Sequence, residues 1–171
     1  ALNAADGGTE PRWAFVPSSD AAELPPLEQQ DVIRTGFIYD PASVTPVGES
    51  DVLVDEAFLN ARQPLAQVFT AVGDADADGF AVVVNHFKSK GDSSPPATGD
   101  NANGDQGAFN GDRVRQAEAL VDFVEEFKTA RGVTRSFLTG DFNAYTEEDP
   151  VQVLEEAGYT NLESDEEGDY S

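Results

Sequence analysis

In the run AVVVNHFK (81–88), His86 is the single imidazole of the chain. Strand alternation puts it on one face with Val82 and Val84, and puts Val83, Asn85 and Phe87 on the other. A histidine at a strand end, opening onto a long polar loop, can move protons near neutral pH. Position alone favours a structural role at the strand terminus. The segment Gly140-Asp141-Phe142-Asn143 sets a carboxylate and a carboxamide two residues apart, so both can point into one cleft. Asp141 and Asn143 could there offer oxygens to a metal or a proton and a donor to phosphate, or simply close an Asp/Asn turn. Asp74, Asp76 and Asp78 before Gly79 match the first half of a calcium-loop pattern. The twelfth position of that pattern falls on Asn85 instead of a bidentate Glu, which favours an acidic hairpin turn. Arg62, just ahead of a strand-like run, could face an anion at a sheet rim or form a surface salt bridge.

These groups need elements to position them. Residues 12–16 read as a short aromatic strand, and 31–39 (DVIRTGFIY) as a strand closed by Asp40-Pro41 with 43–47 as its hairpin partner. Residues 48–64 read as irregular apart from Val52–Val54. Two β-runs, 65–72 and 80–87, form a hairpin around 73–79. A long loop, 88–111, follows, and loops of that length are commonly functional. The spacing of Val114, Ala117, Leu120, Val121, Val124 and Phe127 predicts a helix over 112–131, capped by Asn110 or Asp112 and ended by Gly132. Arg135–Thr139 reads as a buried strand leading into Asp141. A short helix over 149–157 has Pro150 in its first turn and Gly158 at its stop. Ala1–Ala5 reads as a last helical turn, and 163–171 as a solvated acidic tail. Strands interleaved with helices, plus a hairpin, imply a single mixed α/β layered domain, α+β in its hairpin content.

The 171 residues include 33 acidic and 10 basic side chains, for a formal net charge of −23. With no cysteine, disulfide scaffolds and thiolate zinc sites are excluded. With one histidine, so are metal centres built on several imidazoles. No run approaches the roughly 18–20 apolar residues of a membrane span. So acidic a surface cannot hold nucleic acid by the usual Lys/Arg route, so a phosphate partner needs divalent cations to screen it. The acidity itself fits either solubilisation or adaptation to salt-rich surroundings.

Taken together, FIYDPASVTPVG (37–48), ARQPL (61–65), VVVNHFKSKG (82–91), DQGAFNGDRVRQAEAL (105–120) and LTGDFNAYTEEDP (138–150) resemble the endonuclease/exonuclease/phosphatase, or DNase I-like, superfamily. The nearest branch is that of bacterial secreted extracellular endonucleases, and the resemblance runs from about Asp31 to Leu162. It implies a four-layer α/β sandwich with mixed, mostly antiparallel sheets and flanking helices. It implies hydrolysis of DNA or RNA phosphodiesters assisted by Mg2+, with Ca2+ or Mn2+ as alternatives, outside the cell or at its surface. In the family a histidine matching His86 contacts the scissile phosphate. Residues matching Asp141 and Asn143 hold the metal or activate water and hydrogen-bond the phosphate, and an arginine matching Arg62 offsets its charge. Asp31 is the candidate for orienting His86, and Lys88 for touching the nucleic-acid backbone.

The family also uses an Asn and a metal-binding Glu on its first strands and a closing Asp-His pair, none of which can be placed in this sequence. The expectation is therefore a central piece of a larger catalytic domain, nearly inactive alone. A phosphatase or phospholipid phosphodiesterase of the same superfamily is the first alternative. A non-catalytic acidic calcium-binding module, using Asp74–Asp78 and Asp100–Asp105, is the second.

Overall fold

The computed structural model describes residues 3, 12–17, 24–27, 33–91 and 93–162. Asp31, the acidic run 163–171 and all but Asn3 of the helical turn expected at Ala1–Ala5 lie outside the described residues. A two-stranded sheet pairs β1 (Ala14–Phe15) antiparallel with β2 (Ile38–Tyr39). A four-stranded sheet has β3 (Val44–Val52), β4 (Arg62–Ala71), β5 (Phe80–His86) and β6 (Ser136–Asp141) in that spatial order. Two α-helices are described, α1 (Asn110–Arg131) and α2 (Asp149–Glu156). The chain is thus mixed α/β, and no helix among the described residues is long and apolar enough to cross a membrane.

The β4–β5 hairpin forms where alternation predicts it. Ala81, Val83 and Asn85 of β5 turn inward, while Val82, Val84 and His86 are only half-covered. The β5–β6 pair is parallel, which requires a crossover between them, and α1 supplies it. One face of the sheet packs on that helix through Ala66, Val68, Ala81 and Val83 against Ala117, Leu120, Val124 and Phe127. The left-handed Gly132 ends α1 by donating its N–H toward the Lys128 and Thr129 carbonyls.

Several expectations are corrected. Residues 44–47 open β3, which pairs antiparallel with β4 and not with the described part of 31–39. The β3 strand runs on through Gly48, a left-handed residue at a register shift, so part of the supposedly irregular 48–64 is sheet. Its other part holds a 3-10 turn, Glu56–Phe58, that buries Phe58 completely. Among the described residues of the strand expected over 31–39, Ile38–Tyr39 pair with β1, while Phe37 and Tyr39 set their rings against Phe69 of β4. The strand β6 is not buried: its outer positions, Phe137 and Thr139 to Asp141, are exposed, because it lies at the edge of the described sheet. Neither Asn110 nor Asp112 caps α1. The cap position is Phe109, and both polar side chains are engaged elsewhere, with Asp149 and with Asn60 and Arg115.

Candidate functional site

Arg62 begins β4, His86 ends β5 and Asp141 ends β6, and the strand register aligns all three. Arg62 pairs with His86 across the antiparallel ladder, and His86 pairs with Asp141 across the parallel one. Adjacent strands lie about 4.8 Å apart, so a cation, an imidazole and a carboxylate stand in a row at one end of the sheet. A register shift between Arg62 and Leu65 accompanies Pro64, which has no N–H to give to a ladder. That irregularity is what brings Arg62, rather than its neighbour, opposite His86.

The His86 Nε2 lies 3.6 Å from Asp141 Oδ2, an ion-pair separation that is longer than a hydrogen bond. Both side chains remain accessible, His86 at 30% and Asp141 at 55%. The close approach of β6 depends on Gly140, whose φ is +123° and whose added Cβ would sit 2.0 Å from the Asn85 carbonyl oxygen. Beyond the strands, Phe87 N–H donates to the Asp141 carbonyl at 2.9 Å. Asn143 takes a left-handed conformation, φ +49°, and its N–H donates to Asp141 Oδ1 at 2.9 Å. Its Nδ2 donates one hydrogen to the Phe87 carbonyl at 3.1 Å. A carboxamide nitrogen carries two hydrogens, so this bond orients Asn143 without exhausting it. The Asp/Asn turn expected here is present, closed by the Asn143 N–H on the Asp141 carboxylate.

The loop after His86 is anchored by residues that sequence reasoning passed over. Arg113 is wholly buried, and its guanidinium donates to the carbonyls of Ala108 at 2.7 Å, Gln106 at 2.8 Å and Lys88 at 3.3 Å. Gln116, also wholly buried, accepts from Lys88 N–H at 2.8 Å and donates to the Ala57 carbonyl at 2.8 Å. Burial pushes the Arg113 pKa below its ordinary value, against the pull of Glu148 and Asp112. A signal for both residues existed: 113, 116, 117, 120, 124 and 127 keep one helical phase, and all six are buried. Lys88 carries its Nζ 4.3 Å above the Phe109 ring, close to Ser89 Oγ. Lys90 ion-pairs with Glu148 at 2.6 Å and lies over the Tyr145 ring.

Among the described residues, no three or more His, Asp or Glu side chains converge as a metal centre. The Asp74–Asp78 turn contains a 3-10 segment, Asp76–Asp78, and offers no such gathering. At the sheet end, Asp141 gives one accessible carboxylate and Asn143 a carboxamide oxygen. Mg2+ keeps several waters and takes one or two carboxylates plus substrate phosphate, so this pair fits one side of a hydrated ion. A scan against protein-family models finds no match, and a search of curated proteins finds none either.

Proposed function

We propose that this chain carries the phosphate-facing wall of a divalent-metal-dependent phosphodiester hydrolase, a secreted nuclease of the endonuclease/exonuclease/phosphatase superfamily with its four-layer α/β sandwich. The observation that carries the reading is the register alignment of Arg62, His86 and Asp141 on three adjacent strands, with Asn143 fixed behind them. In the chain α1 lies between NHFKSKG and GDFN, as the resemblance implies.

Phosphodiester cleavage needs charge offset on the non-bridging oxygens, a positioned water and a proton for the departing oxygen. Arg62 offsets phosphate charge. His86 offers its accessible imidazole as the proton donor to the departing oxygen, 3.6 Å from the Asp141 carboxylate. Asn143 presents its remaining N–H to the phosphate. A divalent ion held by Asp141 and the Asn143 carbonyl oxygen would supply further charge neutralisation and an acidified water. The resemblance also assigns Asp31 to orient His86 and Lys88 to the backbone of the substrate. The family's second histidine has no counterpart among these residues, so the chain by itself is expected to cut slowly or not at all.

The test is a substrate panel run with Mg2+, Ca2+ or EDTA. It uses the chain together with whatever its gene encodes on either side. Expected is metal-dependent release from plasmid DNA or RNA and none from sphingomyelin or a phosphomonoester. Turnover of the lipid or the monoester alone would keep the chemistry and remove the nuclease reading.

A further inference from the structure

We propose that Gln116 is a positioning residue for the row Arg62, His86 and Asp141. Its one buried carboxamide sets the strand end that carries His86 against the segment that leads into Arg62. The inference rests on the hydrolase reading above for its effect on rate, while the geometry it claims can be measured without substrate.

The row stands where the strand ladders stop. His86 and Asp141 are 3.6 Å apart, beyond hydrogen-bond length, so the backbone that follows β5 decides where the imidazole lies. Both polar backbone groups of each of the next two residues are held. Phe87 N–H donates to the Asp141 carbonyl at 2.9 Å, and the Phe87 carbonyl accepts from Asn143 Nδ2 at 3.1 Å. Lys88 N–H donates to Gln116 Oε1 at 2.8 Å, and the Lys88 carbonyl accepts from Arg113 at 3.3 Å. The Phe87 bonds tie the His86 strand to the Asp141 strand; the Lys88 bonds tie it to α1.

Arg113 and Gln116 then part company. The other hydrogen bonds of Arg113 go to Gln106 and Ala108, within the loop. Gln116 Nε2 donates instead to the Ala57 carbonyl at 2.8 Å and lies 3.3 Å from Asn60 Oδ1, and Asn60 stands two residues before Arg62. The same segments also meet through aromatic rings. Phe87 sets its ring edge to face against Phe58 at 5.9 Å and against Phe142 at 5.3 Å. Phe58 precedes Arg62, Phe87 directly follows His86, and Phe142 directly follows Asp141. Apolar contact of that kind is non-directional and fixes no exact spacing. The wholly buried Gln116 carboxamide, with its acceptor on one segment and its donor on the other, does fix one. Reacting groups have to be held within about 0.5 Å of their working geometry by such supporting bonds.

The experiment compares Gln116→Met with Gln67→Met. Gln67 is a carboxamide buried almost as completely, but it holds the Val47 and Val68 carbonyls farther along the sheet. Each exchange keeps the side-chain length and leaves buried groups unpaired, so both variants lose stability and only one disturbs the site. His86 is the sole histidine, so its ring gives one cross-peak in a 1H–13C spectrum. In the full chain, Gln116→Met should displace or split that peak, and Gln67→Met should leave it in place. With the encoded flanks, Mg2+ and plasmid, Gln116→Met should lower kcat about tenfold or more while KM changes less than about twofold. Added to His86→Ala, it should lower kcat no further, because it acts through that imidazole. Gln67→Met should stay within about twofold of the parent at a temperature where every variant is folded. Gln116→Glu keeps an acceptor for Lys88 and gives up the donor to Ala57, and it repeats the comparison where methionine prevents folding. An unmoved peak in a folded Gln116 variant, an unchanged kcat in an active protein, or equal effects in Gln67→Met overturn the positioning role. A displaced peak in a protein that cuts nothing upholds the positioning of His86 and overturns the hydrolase reading.

Discussion

Gly140 and Gly132 both have positive φ, but their surroundings differ. At Gly140 a Cβ would meet the Asn85 carbonyl oxygen at 2.0 Å, and that oxygen belongs to the strand carrying His86. At Gly132 a Cβ would meet nothing within 4 Å. Gly140→Ala is therefore expected to cost about 3 kcal/mol or more, through strain plus a clash that separates β5 from β6. Gly132→Ala should cost about 1 kcal/mol, for the left-handed backbone alone. Urea unfolding of the two variants checks the contrast, and equal losses would contradict it. The strand end at His86 and the turn at Asp141 and Asn143 were legible from the strand period and the turn glycine, whereas their joint role came only from the family resemblance. Arg113 and Gln116 were not, because polar residues on a helix read as solvent-facing. Here the terminal guanidinium nitrogens of Arg113 and the Gln116 carboxamide find carbonyls and an N–H on the neighbouring segments, with Arg113 Nε alone unpartnered, which makes the burial tolerable.

At the scale of elements, the 88–109 loop and α1 work as one unit. Arg113 gathers the carbonyls of Lys88, Gln106 and Ala108, joining the beginning of the loop to its end. Arg113→Met removes the donors and leaves buried acceptors, so a loss of about 3–5 kcal/mol is expected. Hydrogen exchange should show the loss of protection concentrated in 88–109; a uniform loss across the sheet would contradict the anchoring role. The same helix end holds Asp112. Burial opposes ionisation of its carboxyl, but hydrogen bonds from Arg115, Asn101 and Asn60 outweigh that and lower its pKa. A carboxyl with a lowered folded pKa stabilises above its ordinary value of 3.8 and stops doing so as pH falls through the folded pKa. Asp112→Asn should accordingly be less stable than the parent near neutrality, and the gap should close below about pH 3.8. Denaturant midpoints taken down the pH scale measure this, and a gap constant with pH would count against it. The hairpin, α1 and α2 were all legible from periodicity and from their glycine stops. β3 was hidden because Pro46, Gly48 and Glu49 break its pattern. β6 was taken as buried because its apolar start, Phe137 and Leu138, looks like core, whereas Phe137 is half-exposed at the sheet edge.

For the whole molecule, charge and site pull in opposite directions. A formal charge of −23 repels itself in the folded state and repels any polyphosphate partner. Raising NaCl from low ionic strength to about 1 M, where the Debye length falls to about 3 Å, should raise the melting temperature by several degrees. A flat or falling melting temperature would mean that the acidic side chains are spaced well enough not to repel. At the sheet end Arg62 stands in register with His86, and the Asp141 carboxylate remains accessible. Overall class was readable from the order of the elements, but the alignment of three strand ends was not. It depends on a register shift beside Pro64 that no periodicity reveals. The most direct measurement is metal-dependent nicking of supercoiled plasmid by the chain with its encoded flanks, comparing His86→Ala and Asn143→Ala with Asp122→Ala on the exposed side of α1. Expected is a loss of about a hundredfold or more in His86→Ala and a marked loss in Asn143→Ala, with Asp122→Ala unchanged. Undiminished nicking in His86→Ala, from a folded and metal-supplied protein, would contradict the assignment of this sheet end as the catalytic site.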